Sequence, residues 1–224
     1  MNTKLAARWA GAFYFLIIAG AILTLIFIDS ALIVAGDTEA TVNNIRAKEF
    51  LYRVGVAADT IMFCQVVLLT VFLYIVLRTV NKDLAFLALL LRFAEGILGA
   101  AATLVGGIAP LLLLRYESSF DPGQLNALIQ FFLDLEATGI NFVLIFMGLG
   151  AIIYFYLFLE SKLIPSGLAI WGLITYFTMF FLGFVNLLFP NIPETVSMLL
   201  FAPGTIFELV IGLWLLIKGV KTEE

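Results

Sequence analysis

Polar residues break this chain into six long apolar blocks, at about 9–34, 51–77, 84–114, 138–159, 164–189 and 196–217. About 20 helical residues, rising about 1.5 Å each, cross a hydrocarbon layer about 30 Å thick, so each block suffices for one crossing. The pattern predicts an all-α fold, an integral membrane bundle of six transmembrane helices forming one domain over 1–224. The first block exceeds the roughly 7 to 15 apolar residues of a cleaved signal peptide and reads as a retained span. Between the first two blocks, 29–49 is the longest polar stretch, and Gly36-Asp37-Thr38 offers capping chemistry for a short amphipathic helix over 39–53. Asp121-Pro122-Gly123 marks a turn. The stretch 124–159 is too long for one perpendicular crossing, which predicts a membrane part at 138–159 with 124–136 projecting or lying at the interface. A Pro-bounded loop is expected at 190–193.

Periodicity within the blocks points inward. The third block carries Arg92 and Glu95 near its middle. Each such charge costs about 2.5 to 3.5 kcal/mol there, while Leu, Ile, Phe or Val returns only about 0.3 to 0.6. Arg92, Glu95, Gly96, Gly99, Thr103, Gly106 and Pro110 recur every three or four positions, which makes one small, polar helix face that should look into a bundle. The same grammar recurs in the second span (Tyr52, Gly55, Asp59, Val66, Thr70, Tyr74) and the fourth (Asp134, Thr138, Asn141, Gly148). The fifth shows Gly172, Tyr176, Met179, Gly183 and Asn186, and the sixth Gly204, Glu208, Gly212 and Gly219.

These stripes suggest an outward-opening polar cavity lined by Arg53, Asp59, Arg92, Glu95, Asn141, Asn186 and Glu208, the candidate ligand-binding residues. Simpler readings stand beside it. Glycines at helical spacing ordinarily mean close packing, Arg92 and Glu95 can form a structural ion pair, and Arg53, Asp134 and Glu136 suit interfacial helix ends. Asp59 and Glu208 are the sharpest signals, because neither has an opposite charge within one turn of its own span. Each needs a partner helix, a cation or a proton.

Composition narrows the classes. With 63% hydrophobic and 12% charged residues and a mean hydropathy of +1.12, the chain departs far from the globular norm of about 25% charged. The net charge of -4 and the lack of a basic stripe argue against a nucleic-acid partner. Histidine is absent, which removes His-based triads, His-ligated zinc or haem and histidine relays. The one cysteine, Cys64, allows no intrachain disulfide and reads as a small core residue. No phosphate-binding glycine loop and no nucleophile-elbow motif occurs, so no cofactor and no metal are expected. Lys4, Arg8, Arg78, Lys82, Lys162, Lys218 and Lys221 collect on one side, against Arg46, Lys48, Arg53 and Arg115 on the other, which predicts cytoplasmic termini. Trp9, Trp171 and Trp214 then fall in or near the cytoplasmic half.

In combination, Ala7-Arg8-x-Ala10-Gly11-x-x-Tyr14, Gly36-Asp37 with Thr41-x-x-Asn44-Ile45, Arg53-x-Gly55-x-x-x-Asp59, Leu73-Tyr74-x-x-Leu77 and Arg92 resemble a bacterial family of multi-span membrane proteins. That family is known as domain of unknown function 4386, and the match lies mostly in the first half of the chain. The resemblance implies a bacterial inner-membrane protein of the same span count and carries no activity, cofactor or catalytic residue.

Three functional classes remain open. The leading one is a non-enzymatic sensor or carrier that binds a small polar ligand, a cation or a lipid headgroup. The second is an intramembrane enzyme using Asp59, Glu95 or Glu208 as acid or base. The third is an accessory subunit of a larger membrane complex, or a homo-oligomer, with the lipid bilayer as its constant partner.

Overall fold

The structure, a computed structural model, describes residues 2–189, 192 and 194–221. Among these the chain forms seven helices: α1 (Thr3–Leu32), α2 (Thr38–Ala47), α3 (Glu49–Leu77), α4 (Lys82–Arg115), α5 (Pro122–Ser161), α6 (Ser166–Leu188) and α7 (Glu194–Ile217). All but α2 are long and apolar enough to cross a membrane, so the chain is all-helical with six spans. Apart from Ile192, the loop expected at 190–193 lies outside the described residues.

Short polar connections alternate the direction of the spans. Each span packs against the next in chain order, and α7 returns to α1 to close a ring. The thinnest seam runs between α6 and α7. Outward faces present Leu23, Phe27, Phe86, Ile97, Ile174 and Phe181, all exposed, as contact with lipid demands. Inward, the whole predicted α4 face is buried, from Arg92 and Glu95 through Gly96, Gly99, Thr103 and Gly106 to Pro110. Cys64 corrects its sequence reading: it is exposed rather than packed in the core.

Local signals place the ends. Gly36 turns the chain with φ +77°, and Asp37 caps α2 by accepting from the Ala40 N–H at 2.9 Å. The amphipathic helix closes at Ala47, earlier than 53, and α3 begins at Glu49. Asn81 caps α4 and Asp121 caps α5. The piece expected at 124–136 and the span expected at 138–159 belong to one helix of 40 residues, α5, about 60 Å long and roughly twice the hydrocarbon thickness. Its first turns are not left loose, because Leu125 and Ile129 bury against Val42 of α2. Covering that apolar stripe is what keeps the helix continuous past the bilayer core.

Two turns widen to π geometry, Leu25–Asp29 in α1 and Leu104–Ile108 in α4. The second has a covalent cause. Pro110 has no N–H for the carbonyl of Gly106 four residues earlier, and its ring crowds that turn. The Tyr52 hydroxyl of α3 donates to the abandoned Gly106 carbonyl at 3.0 Å, so no backbone acceptor is wasted in hydrocarbon. In α1 the Ser30 hydroxyl donates to the Ile26 carbonyl of the other widened turn.

Close approach of α1 to α7 depends on Gly11. A Cβ there would lie 2.6 Å from the Gly212 carbonyl oxygen and 2.8 Å from the Leu215 carbonyl carbon, backbone atoms that cannot move aside cheaply. Gly11→Leu should therefore destabilise the bundle by about 1 to 3 kcal/mol or more. Gly20, where an added Cβ would meet nothing within 4 Å, is the control. Gly20→Ala should be neutral or add about 0.5 to 1 kcal/mol. Thermal unfolding in detergent checks both, and equal melting temperatures for the two variants would contradict the packing described.

Candidate functional site

Every helix of the ring sends a polar group to its interior. They are Tyr14 from α1, Thr70 from α3, Arg92 and Glu95 from α4, Tyr154 from α5, Tyr176 from α6 and Glu208 from α7. Arg92 and Glu95 are only 2% and 3% exposed, and their side chains pair at 2.8 Å one turn apart. The contact is mainly Coulombic. Arg92 Nε, Arg92 Nη1 and Glu95 Oε2 all lack an aligned hydrogen bond among the described residues. Room for the arginine stem comes from α5, where a Cβ on Gly150 would stand 2.7 Å from Arg92 Cγ. Around this pair the Tyr154 hydroxyl sits 2.8 Å from the Thr70 hydroxyl and donates to the Thr70 carbonyl at 3.1 Å. The Tyr176 hydroxyl donates to Glu208 Oε1 at 2.7 Å and lies 3.4 Å from the Tyr14 hydroxyl.

A second polar region lies nearer the α2 end of the bundle. A hollow of about 530 Å³ is bounded by α1, α3, α4 and α5, with α2 beside it. Both widened turns border it, Ile28 and Asp29 from the first and Gly107 from the second, and such turns recur at functional sites. Its carboxyl groups are Asp29, Asp37, Asp59, Asp134 and Glu136. Among the described residues no Lys or Arg lines it. Asp59 stands ten residues from the start of α3 at Glu49, about 15 Å down the helix and about a third of the way along it. Glu136 is brought against α4 by a glycine: a Cβ on Gly106 would meet the Glu136 Cδ at 2.7 Å. Near α2, Thr38 donates to Gln130 Oε1 at 2.9 Å, and Gln130 donates to Asp134 at 2.7 Å. These bonds tie α2 to α5 beside the hollow.

The seven side chains expected to share one cavity are thus divided among four places. Of them, Asp59 alone lines the hollow. Arg92, Glu95 and Glu208 belong to the axial cluster. Asn141 accepts from Asn186 at 3.0 Å, and Ser197 donates to Asn186 at 3.2 Å, so these two asparagines join α5, α6 and α7. Arg53 is exposed and pairs with Glu49 at 2.6 Å on its own helix. The physical reason for the division is depth and helix phase, since groups on one inward stripe still sit at different heights. Glu136 corrects its reading as an interfacial charge, because unbroken α5 carries it down into the hollow. Sequence reasoning gave no site role to Asp29, Tyr14 or Tyr154. Asp29 could have been found as the one acid inside the first apolar block. Tyr154 gives no such sign within its apolar run.

The Arg92 and Glu95 pair makes an energetic prediction. Arg92→Met leaves Glu95 buried without its cation and should cost about 3 to 5 kcal/mol. Adding Glu95→Gln should recover most of that loss, because removing both charges is often near neutral. A double-mutant cycle on thermal stability measures the coupling. Additive losses would show that the two groups do not depend on each other.

No curated protein and no solved structure matches this chain. A family model described as Domain of unknown function (DUF4386) matches residues 9–219, and with nearly the whole chain aligned to it the protein belongs to that family.

Proposed function

We propose that the protein is a multi-pass protein of the bacterial inner membrane that binds a small organic cation in the hollow beside α2, as a sensor or carrier. Its termini are then cytoplasmic, in keeping with the seven Lys and Arg residues gathered at that end, and the hollow opens outward. The observation that carries this reading is the lining: five carboxyl groups, no basic side chain among the described residues, and a volume within the roughly 300 to 1,000 Å³ of small-molecule sites. Unbalanced negative charge at that depth attracts a cation. An organic ammonium suits it better than a bare metal ion, because among the described residues no three Asp, Glu or Cys side chains converge as a metal would require. The apolar part of the wall, including Ile28, Val56, Met62, Phe63 and Ile140, would pack against the ligand's carbon substituents.

Choline and tetraethylammonium are suitable probes, with acetate as the anionic control. Either ammonium at about 100 times its Kd should stabilise the purified protein by about 2.7 kcal/mol, a rise of several degrees in melting temperature. Asp59→Asn and Glu136→Gln should each abolish most of that rise while remaining folded. Equal responses to ammonium and acetate, or full ammonium stabilisation in both variants, would reject the proposal.

A further inference from the structure

The acidic hollow is joined to a second cavity on the side of α1. Helices α1 and α5 stand on opposite sides of the hollow and, among the described residues, do not pack together along it. Its lining runs from Tyr52 to Phe63 on α3, about 16 Å of helix, so the gap between those two helices reaches well into the hydrocarbon. On the α1 side of the gap Asp29 and Ile33 are both exposed, and both also border an open-sided trough of about 760 Å³. Among the described residues the border of this trough is Leu25, Ile26, Asp29, Ser30 and Ile33. That is about 12 Å of α1, most of the roughly 15 Å hydrocarbon depth of one leaflet. The trough is apolar but for Asp29, because the Ser30 hydroxyl is engaged by the Ile26 carbonyl. The widened turn of α1 links the two spaces: Leu25 and Ile26 begin it in the trough, and Asp29 ends it where trough and hollow meet.

We propose that the ligand of the hollow is an amphiphilic ammonium drawn from the bilayer, with its cationic head among the acids and its single hydrocarbon chain in the trough of α1. The inference rests on the reading of the hollow as a cation site and narrows the class of cation. Charge complementarity selects the head, since five carboxyl groups and no basic side chain among the described residues line the hollow. A phospholipid suits it less well, because its phosphate would bring a further anion to those five acids. The chain is selected by the trough, which gives it an apolar bed continuous with the head's site and open to lipid along its length. Choline and tetraethylammonium are then probes of the head's place alone.

Dodecyltrimethylammonium carrying a photoreactive diazirine at the end of its chain, added to the full-length protein in dodecyl maltoside micelles, tests this by where it attaches. Adducts mapped by mass spectrometry should concentrate on residues 25–33 of α1. Choline at about 100 times its Kd should cut them about tenfold or more, since the two heads compete for one place. Asp59→Asn should lower them similarly without choline. Ile26→Trp, outside the lining of the hollow, should fill the trough and reduce the labelling several-fold while choline still stabilises the protein. Ile97→Trp, on the exposed face of α4, should change neither. Labelling spread evenly over the lipid-facing sides of all spans overturns the inference. So does α1 labelling that choline leaves intact while stabilising the protein, which would mark an ordinary detergent or lipid groove. In both of those cases the hollow remains a cation site and only the place of the chain is wrong. If choline neither stabilises nor competes, both readings fall.

Discussion

A guanidinium held in the middle of a hydrocarbon span sets the terms for the rest of this molecule. Lipid cannot solvate Arg92, and its partner Glu95 sits on the same helix, so shelter must come from the other five spans. They provide it by closing a ring around α4's polar face and by each turning a hydroxyl or carboxyl inward. Tyrosine suits three of the positions because its ring packs as core while its hydroxyl reaches a polar partner. Tyr176 stacks on Phe155 at 5.4 Å and meets Phe207 edge-on at 6.0 Å, yet its hydroxyl still reaches Glu208. The same residues thus build the apolar core and line the polar axis.

The acidic hollow has a different origin, in backbone irregularity. A regular helix in hydrocarbon satisfies its own hydrogen bonds and leaves no reason for a cavity. Pro110 breaks that self-sufficiency, the turn before it widens, and Tyr52 must come across from α3 to serve the Gly106 carbonyl. Glycines at 106 and 107 leave that turn without side chains, and Glu136 and Val56 approach closely enough to fill the places of the missing Cβ atoms. The widened turn of α1 carries Asp29 to the same space. Two local departures from helix geometry, on helices far apart in sequence, end at one cavity.

The two regions differ in chemistry. The hollow gathers five carboxyl groups toward the α2 end, and the axial cluster sits among the aromatic side chains of the main core. Thr103 borders the hollow while Arg92 and Glu95 lie in the axial cluster, so α4 contributes to both.

How much of this was legible in the sequence follows from the range of the forces involved. Hydrophobic length, helical periodicity and capping chemistry are local properties, and they determined six spans, the inward face of α4 from Arg92 to Pro110, and a helix start at Gly36-Asp37-Thr38. Local reasoning stopped where a partner decides the outcome. Residues 124–136 read as a projecting or interfacial piece, and what covers that piece's apolar stripe is the burial of Leu125 and Ile129 against α2. Arg53 and Asp59 share a helix and a polar pattern, but side-chain direction and depth send one to the surface and the other to the hollow. Which inward groups meet depends on the height of each helix relative to its neighbours, a quantity set by close contacts such as Gly11 on the α7 backbone and Gly150 under Arg92. Periodicity specifies the face of a helix but not its axial position beside another. The sequence therefore determined that the interior would be polar, and tertiary packing decided that it would be divided into an axial cluster and an acidic hollow.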